Sequence, residues 1–395
     1  MTERYDLVVI GGGIHGAGVA QAAAARGLSV MVLEQTAIAS GTSSRSSKLI
    51  HGGLRYLESG QLSLVRECLH ERALLLKIAP QLVELKPFYI PIYRNTMRRP
   101  WLLRTGLSLY TLLGGFGPAT HFRSVPQNQW KNLDGLDTAH LEAVFQYSDA
   151  QTNDAALTCA VMRSAQQMGA QLIVPATFTR AFLGKQCNTI EYCHNGKIET
   201  CTAMVLVNAA GPWVQQVLSR IAPIPSQLTI ELVQGTHIVV PGMLTQGIYY
   251  VEAKDKRLVF VMPWQGNMLV GTTESIYHGD PGDVRPLPHE IGYLVETLSH
   301  YFPGYRSGQP ILEAMAGLRV LPSGGRGAEG GVLSVHARSR ETMLHLDRRD
   351  HPRLLTIYGG KLTTYRLTAE RVMARLADAL PTSMPVANTR HLKLT

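Results

Sequence analysis

Long apolar runs, paired cysteines and repeats are all missing from this sequence. No stretch is apolar over enough residues to cross a bilayer as a helix. Glu3 and Asp6 interrupt the first residues, so no secretory leader is expected. Cys68, Cys159, Cys187, Cys193 and Cys201 form no CxxC pair and no zinc spacing; they read as small buried hydrophobes in a reduced, cytoplasmic setting, with no metal site. Internal repeats and low-complexity tracts are also absent. What remains is an ordinary globular composition, 45% hydrophobic and 17% charged over 395 residues, long enough for two domains. The net charge of +9 favours anionic partners, whether dinucleotides, phosphorylated substrates or anionic lipid. The basic residues are scattered and carry no nucleic-acid motif, so nucleic acid is not an expected partner.

The N-terminus holds the first positive signal. Tyr5 to Ile10 reads as a buried strand, Ile14 to Arg26 as an alanine-rich helix stopped by Gly27, and Leu28 to Leu33 as a second strand. Between the first strand and the helix stands Gly11-Gly12-Gly13-Ile14-His15-Gly16, a GxGxxG loop in a βαβ unit. In that context Gly11 makes the tight turn, Gly13 admits a pyrophosphate, and Gly16 lets helix pack on strand. The helix N-terminus offers N–H groups and positive dipole to the phosphates. Glu34, at the end of the second strand, suits ribose hydroxyls and disfavours a 2′-phosphate. The loop alone does not choose between NAD and FAD.

Further along, Gln61 to Ile78 keeps helical spacing, and Asp154 to Met168 returns to helix. Between Pro87 and Asp149, proline, arginine and aromatics mix, as in an excursion from the first domain. Thr229 to Val240, Ile248 to Glu252, Arg257 to Pro263 and Met268 to Gly271 predict an antiparallel meander. Gly324 to Gly331 reads as a flexible loop, Leu354 to Tyr358 as a buried strand, and about Thr363 to Leu380 as a helix. The fold expected is α/β: a Rossmann-like dinucleotide-binding domain with an interleaved substrate domain on an antiparallel sheet. The boundaries are 1–80, 150–225 and 331–380 for the first domain, 81–149 and 226–330 for the second, with 381–395 as a tail.

The segment Gly41-Thr42-Ser43-Ser44-Arg45-Ser46-Ser47-Lys48-Leu49-Ile50-His51-Gly52-Gly53-Leu54-Arg55-Tyr56-Leu57-Glu58 is dense in hydroxyls, cations and glycine. With Val207 to Trp213, Gln234 to Val240, Gly271 to Glu274, Gly317 to Leu321 and Tyr358 to Arg366, it resembles the FAD-dependent glycerol-3-phosphate dehydrogenases, within the D-amino-acid-oxidase-like flavoproteins. These blocks keep the family order over nearly the whole chain. The resemblance implies FAD held by Gly11, Gly13, Ile14, His15, Gly16, Glu34, Thr42, Ser43, Ser44, Ser47, Lys48, Leu49, His51, Gly52, Phe178, Gly211, Gly360, Lys361, Leu362 and Thr363. His15 stands where that family usually has Asn. Family members usually continue into a helical C-terminal domain, whereas this sequence stops at Thr395.

The chemistry so implied is hydride removal from the C2 carbinol of glycerol 3-phosphate, giving dihydroxyacetone phosphate. His237 is the expected base and Arg319 the electrostatic partner of the developing oxyanion. Arg55 and Lys361 are the expected phosphate cations, with Tyr56 as hydroxyl donor. Electrons would pass to a quinone or another acceptor. Arg98 to Leu113 mixes cations, Trp101 and leucines, and reads either as a buried helix or as an interfacial one resting on the inner face of the cell membrane. Two other readings stand beside this one. The first is an oxidase or dehydrogenase of another small phosphorylated alcohol or of an amino acid; the second is a non-catalytic FAD-binding homologue.

Overall fold

The computed structural model describes residues 3–305, 308–322 and 342–395; the expected Gly324 to Gly331 loop lies outside them. Among the described residues the strands form two sheets. The first has a parallel centre: Glu3–Ile10 pairs with Val30–Leu33 on one edge and Lys197–Asn208 on the other. The long Lys197–Asn208 strand then splits its outer edge. Residues 197–203 pair antiparallel with Asn188–His194, while 206–208 pair parallel with Leu354–Tyr358.

Helix α1 (Ile14–Ala25) explains its own burial. It is almost all Ala, Gly and Val, and every residue but His15 is buried. Small side chains let it sit close to the sheet. An added Cβ at Gly18 would press on the ring of Tyr365. The helix after the GxGxxG loop is thus a core helix, and its Gly27 stop has φ +79 as a left-handed turn requires. Next come α2 (Leu62–Ile78), α3 (Pro100–Leu113) and α4 (Asp154–Gln167); α4 packs on α1.

The second sheet runs in the order Ser275–Tyr277, Ile230–Val240, Asn267–Gly271, Leu258–Trp264, Ile248–Glu252, Val83–Tyr93, Leu141–Thr152, Leu49–Ile50. Glu313–Pro322 pairs along the Ile230–Val240 strand. The sheet is antiparallel except at one joint, where Ile248 and Tyr249 pair parallel with Phe88 and Tyr89. That joint fastens the meander to the 83–152 excursion. Pro87 and Pro91 hide Val83–Tyr93 from a propensity reading, because proline is normally excluded from paired strands. Helix α5 (Val214–Leu218) is short, and α7 (Tyr365–Arg375) ends five residues before the expected Leu380, continuing as a single 3₁₀ turn at Ala377–Ala379. Helix α6 (Pro288–Tyr301), which the sequence reading does not anticipate, covers the second sheet over Leu294, Leu298 and Tyr301. Its start was readable from Pro288 at the first helical position.

Candidate active site

A cavity of about 420 Å³ opens between the two sheets, beyond the carboxyl ends of the parallel strands. That is where open α/β sheets place their ligands. The first sheet contributes Ile10, Gly11, Gly13, Glu34 and Phe178; the second contributes Gly235, His237, Tyr250 and Arg319. The expected residues Ile14, His15, Thr42, Ser43, Ser47, Leu49, His51, Arg55, Tyr56, Gly211, Gly360, Lys361, Leu362 and Thr363 also face it.

Four expected cofactor residues do not line it. Gly16 faces back onto the carbonyl of Gly11, where any Cβ would overlap, so it serves packing. Ser44 turns its hydroxyl to the Gly41 carbonyl at 3.2 Å. Lys48 is drawn inward by Asp154, 2.7 Å away, in a pair that is almost fully buried. Gly52 gives its N–H to Asp149 at 3.0 Å and sits against the Tyr110 hydroxyl. Each supports the wall from behind.

Several loop groups are already engaged. The Glu34 carboxylate accepts the Gly12 N–H at 2.7 Å and the Thr36 N–H at 2.9 Å, which closes the glycine turn around it. Ser43 Oγ accepts the Ile14 N–H at 2.9 Å, and Thr42 Oγ1 donates to the Leu318 carbonyl at 2.7 Å. The latter bond ties the hydroxyl block to the strand that carries Arg319. Thr363 Oγ1 accepts the His51 N–H at 3.2 Å, joining segments 312 residues apart in the chain. The Phe178 carbonyl is taken by Arg220 at 3.0 Å.

His237 stands at the middle of the Ile230–Val240 strand and is 2% exposed. Opposite it lies Gly271; any side chain there would collide with the imidazole. Its Nε2 is 3.0 Å from Ser47 Oγ, and its Nδ1 has no hydrogen-bond partner among the described residues. Burial, with Arg319 and Lys48 nearby, lowers its pKa to about 3, so the imidazole is neutral at working pH. Arg319 is held by Glu274 at 2.6 Å. Lys361 Nζ lies 4.2 Å over the Tyr56 ring, a cation–π contact that fixes both expected substrate groups.

Sequence reasoning passed over Glu274, Arg45 and Arg257 as site groups, though all three line the cavity. Glu274 closes the Gly271–Glu274 block, but its pairing with Arg319 spans 45 residues and has no local signal. Arg257 gives an N–H to the Glu274 carbonyl at 3.1 Å. Nothing local in the sequence marked it.

The residues present fit a bound FAD. The glycine turn is open on its cavity side, hydroxyls and a helix N-terminus meet there, and the buried Nδ1 of His15 has no partner among the described residues. His15 lies against Gly360, whose φ of +117 admits only glycine. Burial lowers the His15 pKa to about 4, so it meets a ligand as neutral imidazole.

A family model described as FAD dependent oxidoreductase matches residues 6–366. The chain is 38% identical to D-erythritol 1-phosphate dehydrogenase of Brucella abortus over 387 residues, covering 96% of this chain and 75% of that one. It is also 38% identical to aerobic glycerol-3-phosphate dehydrogenase of Escherichia coli over 384 residues, covering 95% and 74%. Among solved structures, the glycerol-3-phosphate dehydrogenase of Bacillus halodurans complexed with FAD superimposes with a TM-score of 0.75 at 26% identity, covering 99% of this chain and 68% of that one.

Proposed function

The chain belongs to the FAD dependent oxidoreductase family, among the glycerol-3-phosphate dehydrogenases, and on that premise we propose that it oxidises sn-glycerol 3-phosphate to dihydroxyacetone phosphate. The observation that carries the reading is the meeting of a buried neutral histidine with several cations in one cavity beside the glycine turn. His237, Arg319, Arg55 and Lys361 all face it, from four separate segments. An amino-acid substrate has no need of so many cations, and a purely binding homologue has no need of His237.

FAD, when bound, supplies the two-electron acceptor for the hydride leaving C2. The glycine turn, Ser43, Thr42 and Glu34 would hold its dinucleotide end. Gly360 to Thr363, the turn that leads into α7, would offer backbone N–H groups to the cofactor. His237 is the base for the C2 hydroxyl proton. A phosphate dianion in the cavity opposes the effect of Arg319 and Lys48 on the imidazole and raises its basicity as substrate enters. Arg319, aimed by Glu274, stabilises the oxygen as it gains charge. Arg55 and Lys361 hold the phosphate, with Tyr56 donating from its hydroxyl. The first sheet with its helices is the cofactor unit in this reading, and the second sheet is the substrate unit.

Electron delivery to a membrane quinone belongs to the same proposal. Among the described residues no helix is long and apolar enough to cross a membrane. Helix α3, however, buries only Leu107, Tyr110 and Thr111 and leaves Trp101 69% and Leu112 54% exposed, with Phe116 at 63% just beyond. Exposed Arg99 and Arg104 flank that apolar face. Such a helix suits peripheral contact with anionic lipid at the cytoplasmic face.

Anaerobic mixing with glycerol 3-phosphate, followed at the oxidised flavin band, tests the activity: rapid bleaching supports it. D-erythritol 1-phosphate belongs in the same series, since the Brucella relative is equally similar. Bleaching by amino acids alone ends the proposal. Co-sedimentation with anionic vesicles, lost in Trp101→Glu, tests the membrane arm.

A further inference from the structure

A buried carboxylate stands on the far side of the strand that carries His237. Glu290, the third residue of α6, is 2% exposed and belongs to no motif quoted above. Four side chains donate to it. Thr236 Oγ1 and Gln234 Nε2 reach Oε2 at 2.6 and 2.7 Å; Thr273 Oγ1 and Ser275 Oγ reach Oε1 at 2.8 and 2.9 Å. Burial works to raise its pKa, but these four bonds outweigh burial and hold it below the usual glutamate value. The group is therefore an ionised acceptor, saturated by its own neighbours.

The placing of the donors gives it meaning. Gln234 and Thr236 flank Gly235, and Thr273 and Ser275 flank Glu274. Successive side chains on extended backbone point to opposite faces. Gly235, His237, Thr272 and Glu274 accordingly line the cavity, and none of the four donors does. Two further bonds close the arrangement: the Thr236 N–H to Thr273 Oγ1 at 2.8 Å and the Thr273 N–H to the Thr236 carbonyl at 3.2 Å. The carboxylate thus staples the Ile230–Val240 strand to the 272–275 segment from outside the cavity.

We infer that Glu290 is a positioning residue, setting the spacing between His237 and the Glu274–Arg319 pair through the four donors it anchors. The inference rests on the reading that these groups act on substrate. Glutamine fills the same volume but offers one acceptor oxygen. Whichever way its amide turns, one pair loses its charged acceptor: toward 273–275 the N–H₂ forces both hydroxyls to rotate and accept, and toward 234–236 it meets the Gln234 amide donor to donor. The charge-assisted grip on one of the two segments is then lost, and small displacements of reacting groups slow chemistry strongly.

The test uses FAD-loaded protein carrying Glu290→Gln, with Glu296→Gln on an exposed turn of the same helix as control. Two readouts are taken: the flavin reduction rate at saturating glycerol 3-phosphate, and the imidazole signal of His237 in histidine-labelled protein, assigned by its loss in His237→Asn. Glu290→Gln is expected to stay yellow, to reduce about tenfold more slowly or worse, and to move the His237 signal. Glu296→Gln is expected to change neither. A wild-type rate with an unmoved His237 signal overturns the inference. Should Glu290→Gln not accumulate, Ser275→Ala and Thr236→Val each remove one donor and must move the same signal; an unmoved signal overturns it equally. If wild-type flavin is not reduced by glycerol 3-phosphate, the proposed function fails by itself, and the His237 signal still decides on Glu290.

Discussion

Ser47 Oγ lies 3.0 Å from His237 Nε2, although 190 residues separate them in the chain. The serine comes from the hydroxyl-rich loop, the histidine from the Ile230–Val240 strand of the second sheet. Because Nδ1 has no partner among the described residues, this single bond orients the imidazole plane. Replacing Ser47 with Ala is expected to leave FAD bound and to slow flavin reduction by about tenfold. His237→Asn is expected to slow it by about 10² to 10⁴, the range for a lost general base. Stopped-flow reduction at saturating substrate measures both, and equal rates in wild type and His237→Asn would remove the histidine from the mechanism.

The same histidine makes stability depend on pH. Its pKa falls from 6.5 to about 3 on folding, so between those values the unfolded chain binds the extra proton. The stabilisation is therefore complete above about pH 6.5 and is lost progressively as pH falls toward 3. One such proton changes the unfolding free energy by about 1.4 kcal/mol per pH unit. Urea unfolding between pH 5 and 7 should show a slope that His237→Asn reduces by about that amount. An unchanged slope contradicts the assignment.

Arg319 owes its direction to Glu274 at 2.6 Å. Glu274→Gln keeps the shape but weakens the grip, and should lower kcat while leaving FAD in place. Arg319→Lys removes the planar fork and should lower kcat/KM by about 100-fold, the scale of a lost oxyanion donor. Steady-state assays with an artificial acceptor separate the two. A loss confined to KM in both variants would assign the pair to ground-state binding instead.

Asp149 supports the Gly52 turn. It receives Arg72 at 2.5 Å, the Tyr110 hydroxyl at 2.9 Å and the Gly52 N–H at 3.0 Å, all buried. Asp149→Ala strands the Arg72 charge in the core, at a cost of about 3–5 kcal/mol. The thermal midpoint should drop sharply, and the variant should release FAD more readily as the His51–Gly53 segment loosens. A midpoint within a degree or two of wild type refutes this account.

Gly360 and His15 are tightly apposed, with φ of +117 at the glycine. Gly360→Ala drives a methyl group into the imidazole and adds backbone strain, so it should abolish stable FAD binding. Adding His15→Gly removes the steric part and should restore some yellow colour, leaving the strain. Flavin content per chain after purification gives the answer. Full binding by Gly360→Ala alone would mean that the two residues do not touch.

Much of the cofactor side was legible in the sequence, because its signals are local. Gly11, Gly13 and Glu34, set about an alanine-rich helix between two short apolar strands, mark a dinucleotide turn by local context. The meander from Ile248 to Gly271 was equally readable from alternation and turn residues. Prolines at 87 and 91 concealed the Val83–Tyr93 strand. No local rule could show that it joins the meander through a parallel contact at Phe88 and Tyr89.

The site itself divides along the same line. Residue types fixed by local sequence, a histidine, several cations and a hydroxyl block, stated what chemistry was on offer. Which of them meet was decided by pairing between distant strands, and so was which turn away. Lys48 and Gly52 look like ligands in one dimension, yet Asp154 and Asp149 claim them, because a buried cation or amide must find its acceptor. Glu290 and Arg257 carry no local mark at all. The four side chains that donate to Glu290, and the Glu274 carbonyl that Arg257 meets, come from other segments, and only long-range packing sets what a buried charge is next to.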